Sequence, residues 1–213
     1  WDMTGVTDLS NFFDGNPVFN NGGSTGINNW RPSSCTNMQQ MFTYATGFNQ
    51  PIGDWDTSSV TNMSYMFQRY YGGMTFDQDI GNWDVSNVNT MREMFKSHRD
   101  NYNAFNNGGS PSISGWDTSS LTNIQEMFRL CNSFDQSLSG WDVSSVTNAN
   151  YFMHGCTLST ANYDSTLGGW SSQSVQNGVN ISFGNSQYSS ATGAAYRTAL
   201  VNAGWTITDG GQA

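Results

Sequence analysis

Positive charge is nearly missing from this chain. Its 213 residues hold seven lysines and arginines, with Lys96 the lone lysine, against sixteen aspartates and glutamates, for a formal net charge of −9. Nucleic-acid affinity rests on Lys and Arg meeting phosphates, and the chain has no basic run, which argues against nucleic acid and anionic membrane surfaces as partners. Long apolar runs are missing too. No stretch approaches the ~20 residues of a membrane helix, so no membrane insertion is expected. Cysteine is scarce, with only Cys35, Cys131 and Cys156. An odd count excludes a fully paired disulfide framework, and no closely spaced Cys/His pair suggests zinc. Of the two histidines, His98 and His154, neither has a periodic acidic or nucleophilic partner. A catalytic triad therefore has nothing to build on. No leader segment precedes Trp1, which implies a processed or excised chain, expected to be monomeric.

What is abundant is aromatic and uncharged polar. Aromatic residues make up 14% of the chain and charged residues 11%, with Asn, Ser, Thr, Gln and Gly supplying the polarity. Such residues suit many tight, hydrogen-bonded turns. Tryptophan reveals the organisation. Trp1, Trp30, Trp55, Trp83, Trp116, Trp141 and Trp170 recur every 25 to 33 residues. Alignment on tryptophan brings out further columns. Ile27, Ile52, Ile80, Ile113, Leu138 and Leu167 stand three residues before it, and Val6, Cys35, Val60, Val88, Leu121, Val146 and Val175 five after. A Met-Phe or similar pair follows in each repeat, as in Met94-Phe95. Two insertions, at 20–24 and 106–110, both read Asn-Asn-Gly-Gly-Ser, as copying of blocks would produce.

The unit IGNWDVSNVNTMREMF at 80–95 opens with the rhythm of a leucine-rich repeat. It predicts a short strand with Trp83 and Val85 inward and Asp84 outward, then a helical or 3-10 turn at M-x-x-M-F. The expected fold class is an α/β repeat solenoid, leucine-rich-repeat-like. Short parallel strands form one face, short helical or 3-10 turns the other, in about seven coils of basic period 25. Residues 1–170 form the solenoid, and 171–213 the last partial coil and a C-terminal cap containing one helix, 191–203. Strands are expected at Ile181–Phe183 and Trp205–Thr208.

The stretches FNQPIGDWDTSSVTNMSYMF (48–67), FDQDIGNWDVSNVNTMREMF (76–95) and FDQSLSGWDVSSVTNANYFM (134–153) resemble the bacterial surface-protein repeat related to BspA-like leucine-rich repeats. The likeness covers roughly 1–170. It implies export, an extracellular or cell-surface location, and adhesion or partner binding, and it carries no catalytic site. Arg31-Pro32 departs from the usual Asp-Val or Asp-Thr.

Candidate ligand-binding residues lie on the predicted strand face and in the loops. They are Arg31, Asp54, Asp56, Ser58, Asn82, Asp84, Ser86, Asp117, Ser119, Asp142 and Ser144, with Tyr70 and Tyr71 in an irregular loop. Aspartates stacked at ~4.8 Å would repel by roughly 1 kcal/mol per pair in water. Either a calcium ion on Asp56, Asp84, Asp117 and Asp142 offsets this, or each Asp caps a turn through the serine two residues on. No other cofactor is expected. Cys131 and Cys156 share a column, where two buried thiols are favoured over a disulfide. The sequence points to a non-catalytic extracellular binding module for a protein or glycan partner. A rigid spacer and an ice- or polysaccharide-surface binder are the alternatives.

Overall fold

In a computed structural model of the chain, residues 2–69, 73–98 and 103–213 are described. Regular elements are few. They are helix α1 (Thr160–Ser171), strand β1 (Asn180–Ser182), helix α2 (Gly193–Asn202) and strand β2 (Thr206–Thr208). Short 3-10 segments occupy Asn21–Gly23, Thr25–Asn29, Asn107–Gly109 and Pro111–Gly115. The two strands pair in parallel, with Ile181 opposite Ile207.

This corrects the expected α/β leucine-rich-repeat-like solenoid of about seven coils. Among the described residues, two α-helices and one two-stranded sheet stand in place of a strand and a helical turn in every repeat. The physical reason lies in the backbone bonds. Where a strand was predicted, the Trp83 N–H turns back to the Ile80 carbonyl at 3.1 Å and the Val88 N–H to Val85 at 2.9 Å. Trp83 and Val85 are buried and Asp84 is exposed, but successive turns achieve this, not an extended strand. Neighbouring repeats meet at isolated parallel bridges, Asp8–Asn37–Asn62–Thr90–Asn123–Asn148, seven residues after Trp1, Trp30, Trp55, Trp83, Trp116 and Trp141, with further bridges at Arg69–Ser97 and Met74–Asn103.

The predicted helical turn fails for a second reason. Ten residues after each tryptophan the backbone is left-handed: Asn11, Gln40, Tyr65, Glu93, Glu126 and Tyr151 have φ between 55° and 62°. A left-handed residue cannot continue a right-handed helix, and each costs roughly 1–2 kcal/mol. Alternate N–H groups offset that cost. Met38, Gln40 and Phe42 donate forward to Asn62, Ser64 and Met66 at 2.9, 3.0 and 2.9 Å. The amides between them, Met41 and Thr43, close turns inside their own repeat onto Met38 and Gln40. Half of this backbone therefore joins repeats and half bends within them.

Aromatic ladders fill the interior. Phe42, Phe67, Phe95 and Phe128 stack with centroids 5.4, 5.6 and 5.5 Å apart. A second column, Phe48, Phe76, Phe105 and Phe134, interleaves with the first at 3.8 to 4.2 Å. The indoles from Trp55 onward donate to the preceding repeat. Trp55 Nε1 reaches the Ile27 carbonyl at 2.9 Å, Trp83 that of Ile52 at 2.8 Å, Trp141 that of Ile113 at 2.9 Å and Trp170 that of Leu138 at 2.8 Å.

The array ends in a different way. Tyr163, Leu167 and Trp170 continue the aromatic–Ile–Trp columns, yet they lie in α1. Their spacing matches a helix face, and four extra residues between Cys156 and Tyr163, relative to Cys131 and Phe134, supply about one helical turn. Tyr163 Oη and Arg197 Nε both donate to Asp209 Oδ2 at 2.7 Å, tying α1, α2 and the segment after β2 together. The expected helix at 191–203 is found as α2, with Gly204 following at φ 100°. The strands expected beside it are β1 and β2.

Trp83→Ala should destabilise the chain by ~3–5 kcal/mol, since it empties a core site and removes the indole bond to the Ile52 carbonyl. Denaturant unfolding followed by tryptophan fluorescence checks this. A loss below ~1 kcal/mol would contradict the packing role.

Candidate functional site

The aspartates after the tryptophans are engaged locally. Asp56 Oδ1 accepts from the Ser58 N–H at 3.2 Å and its hydroxyl at 2.6 Å. Asp84 and Asp117 do the same with Ser86 and Ser119, and Asp142 accepts from the Ser144 N–H at 2.8 Å. These are Asx turns, which occupy one carboxylate oxygen each. The two hydrogen bonds from Ser119 hold the Asp117 carboxyl below its ordinary range. Among the described residues, no three His, Cys, Asp or Glu side chains gather as a metal site would require. Asp54 accepts from Asn28 Nδ2 at 2.7 Å, while Arg31 donates to the carbonyls of Asn28 and Trp30. Asn82 is exposed at its turn. Tyr70 and Tyr71 lie outside the described residues. Among the described residues, the predicted Asp–Ser pairs thus form a row of local Asx turns, while Asp54 and Arg31 both bond to Asn28. The second Gly-Gly loop is pinned as well, because Asn106 and Gly108 donate backbone N–H groups to Asp77 at 2.7 and 2.9 Å.

Charge that the sequence dispersed is gathered inside. Lys96, 4% exposed, meets Glu93 at 2.8 Å and Glu126 at 2.6 Å, and Arg129 meets Glu126 at 2.7 Å. Burial pushes the Glu126 carboxyl up, but hydrogen bonds from Lys96 and Arg129 outweigh it and hold the group at about 2. Outward from this cluster, Arg92 lies 5.4 Å over the Tyr65 ring and Arg129 5.7 Å over that of Tyr151.

Tyr151 leads to a groove that sequence reasoning missed. A cavity of about 260 Å³ is lined by Asn150, Tyr151, β1 residues Asn180, Ile181 and Ser182, and β2 residues Thr206 and Thr208. Ala149 bridges to Ile181, so β1 and β2 extend the ladder of repeats and form the far wall. Tyr151 is 55% exposed, and Asn150, Asn180, Thr206 and Thr208 are exposed beside it. Elsewhere on this face the amides satisfy one another: Asn62 donates to Gln39 at 3.0 Å and Asn148 to Gln125 at 3.1 Å. Among the described residues, the side chains of Asn150, Asn180, Thr206 and Thr208 make no such bond within the protein. The signal in the sequence was faint: Tyr151 stands in a column that reads Asn11, Gln40, Tyr65, Glu93 and Glu126 in the earlier repeats, and the far wall of its groove comes from the divergent C-terminal segment.

The three cysteines are free and buried. Burial raises the Cys131 thiol well above its ordinary value and that of Cys156 to about 12. Cys156 Sγ donates to the Phe128 carbonyl at 2.8 Å.

A repeat-family domain of this kind, with turns bridged through one asparagine column, sets the class. The chain belongs to the family described as Mycoplasma protein of unknown function, DUF285, whose model matches residues 1–108 and again 70–194. Two overlapping matches accord with an internally repeating sequence. No curated protein matches the chain. No solved structure matches it either.

Two outcomes follow. A carboxylate whose folded value is depressed stabilises above its ordinary value of 4.5, and that stability fades as pH falls towards about 2. Glu126→Gln should therefore cost roughly 1.5–3 kcal/mol at neutral pH and progressively less below pH 4.5. Melts of both proteins across that range measure it. Native alkylation should leave Cys35, Cys131 and Cys156 unmodified, whereas the unfolded chain takes a label at each. A mass deficit of two hydrogens in unreduced protein would reveal a disulfide instead.

Proposed function

We propose that the chain is a non-catalytic binding module, displayed outside the cell, that holds a glycan or protein partner on its surface. The observation that carries this reading is the groove at Tyr151, where polar side chains without protein partners surround an exposed ring. Everything else about the chain supports a scaffold. Its candidate acids are committed to Asx turns, its thiols are buried with raised pKa, and its interior charges pair with each other. Buried, protonated thiols are poor nucleophiles, and a row of near-equivalent aspartates lacks the unequal environments that acid–base catalysis needs. The extracellular setting rests on the resemblance of 48–67, 76–95 and 134–153 to BspA-like surface repeats.

The alternative is a rigid spacer that presents another domain. It is favoured by the continuous aromatic ladder, which stiffens the array. The two readings separate on a panel of immobilised glycans and extracellular proteins. Saturable capture of the isolated domain on one class of surface is expected, and none on either class would leave the spacer.

Calcium remains a proposal for the aspartate row. Since Asp56 and Asp84 already hold their own turns, the melting midpoint should be the same in EDTA and in millimolar calcium. A rise of several degrees would instead make the row, or a loop beside it, a metal site.

A further inference from the structure

We propose that the groove between Tyr151 and β1–β2 is a saccharide subsite, sized for one ring of a neutral polysaccharide or glycan. The inference rests on the binding-module reading and names its ligand class.

Three features of the groove converge on a sugar. The first is its chemistry. The lining is uncharged: amides from Asn150 and Asn180, hydroxyls from Thr206 and Thr208, and one aromatic ring. Amides both donate and accept, as do hydroxyls, so together they match a ligand that carries hydroxyl groups around a ring. A basic peptide finds no carboxylate among them. At about 260 Å³ the groove falls short of the range of about 300–1,000 Å³ typical of drug-sized sites, and it suits a single ring of a longer chain.

The second is preorganisation. Tyr151 lines the groove and is 55% exposed. Arg129 lies over the ring at 5.7 Å, and Arg129 is itself fixed by Glu126 at 2.7 Å. His154 meets the same ring edge-on at 83°. A ring held in this way offers an apolar surface for the C–H face of a sugar at little entropic cost.

The third lies in the backbone. Forward-pointing amides run from repeat to repeat: Asn11 to Gln39, Gln40 to Ser64, Tyr65 to Arg92, Glu93 to Gln125 and Glu126 to Asn150. The next amide in this series is that of Tyr151, and among the described residues no protein acceptor meets it. A polarised donor therefore ends its chain at the groove, where a sugar oxygen would complete the series.

The test is a ¹H–¹⁵N NMR titration of the whole domain with cellotetraose, xylotetraose, mannotetraose, maltotetraose and chitotetraose. The expected result is saturable shifts with at least one of them, centred on Asn150, Tyr151, Asn180, Thr206 and Thr208. Tyr151→Ala should weaken that binding about tenfold, the equivalent of one lost stacking contact. Tyr151→Trp should keep it, and Thr206→Val, a change tolerated on an exposed strand, should weaken it with the fold intact. No shifts in the groove with any of the five, or shifts that survive both Tyr151→Ala and Thr206→Val, would overturn the proposal. Capture of the domain on the surface panel that is unchanged in these variants would leave the binding module standing and remove the groove as its site. Loss of all capture in the unaltered domain would remove both.

Discussion

The bond from the indole N–H of Trp55, Trp83, Trp116, Trp141 and Trp170 to a carbonyl of the preceding repeat is the constraint on which the rest depends. A buried indole must find an acceptor or lose a few kcal/mol. Here the acceptor belongs to a residue 28 to 36 positions earlier in the chain, as with Trp55 on Ile27 and Trp116 on Ile80. A one-residue slip would leave the indole donor unmet in an apolar interior. The bond therefore fixes the register of every repeat against its neighbour. With register fixed, the phenylalanines fall into ladders and the asparagine columns meet at single bridges. Loops between tryptophans are then free to differ in length, and they do, since the spacing runs from 25 to 33 residues.

Which features were legible follows from whether their cause is local. The buried columns could be read because apolar residues at fixed offsets from Trp30, Trp55 or Trp83 need no further information to be placed inside. The Asx turns could be read as one of two options, because Asp followed two residues later by Ser is a local arrangement. Secondary structure could not. M-x-x-M spacing suits a 3-10 turn and equally a pair of turns hinged at a left-handed residue, and Glu93 or Tyr65 at the hinge carries no glycine-like signal. Tyr163, Leu167 and Trp170 looked like one more repeat because the column spacing coincides with a helix period. The groove was illegible, because Asn150 and Thr206 meet only through the pairing of β1 and β2.

The same reasoning explains where the few positive charges went. A chain of net charge −9 has little need of lysine on its surface, and its single lysine lies at 4% exposure between two glutamates. Lys96 bridges Glu93 and Glu126, so the cluster acts as a lock between the repeats that carry them. Arg92 and Arg129 then extend from that lock to Tyr65 and Tyr151, which couples interior electrostatics to the posture of two surface rings.

The forward-pointing amides have one more effect. In the series Phe13, Phe42, Phe67, Phe95, Phe128, Met153 and Phe183, each N–H donates to the next repeat at 2.8 to 2.9 Å, and the peptide units are aligned head to tail. Further series run parallel to it, as from Asn11 and from Leu9, and outnumber the one that runs the other way, from Thr147 through Thr122, Asn89, Thr61 and Thr36 to Thr7. Aligned peptide dipoles add, as they do in an α-helix, to partial charges at the two ends. The array is therefore an electric dipole built without a helix, with carbonyl oxygens giving a negative pole at its first repeat and amide hydrogens a positive pole towards β2.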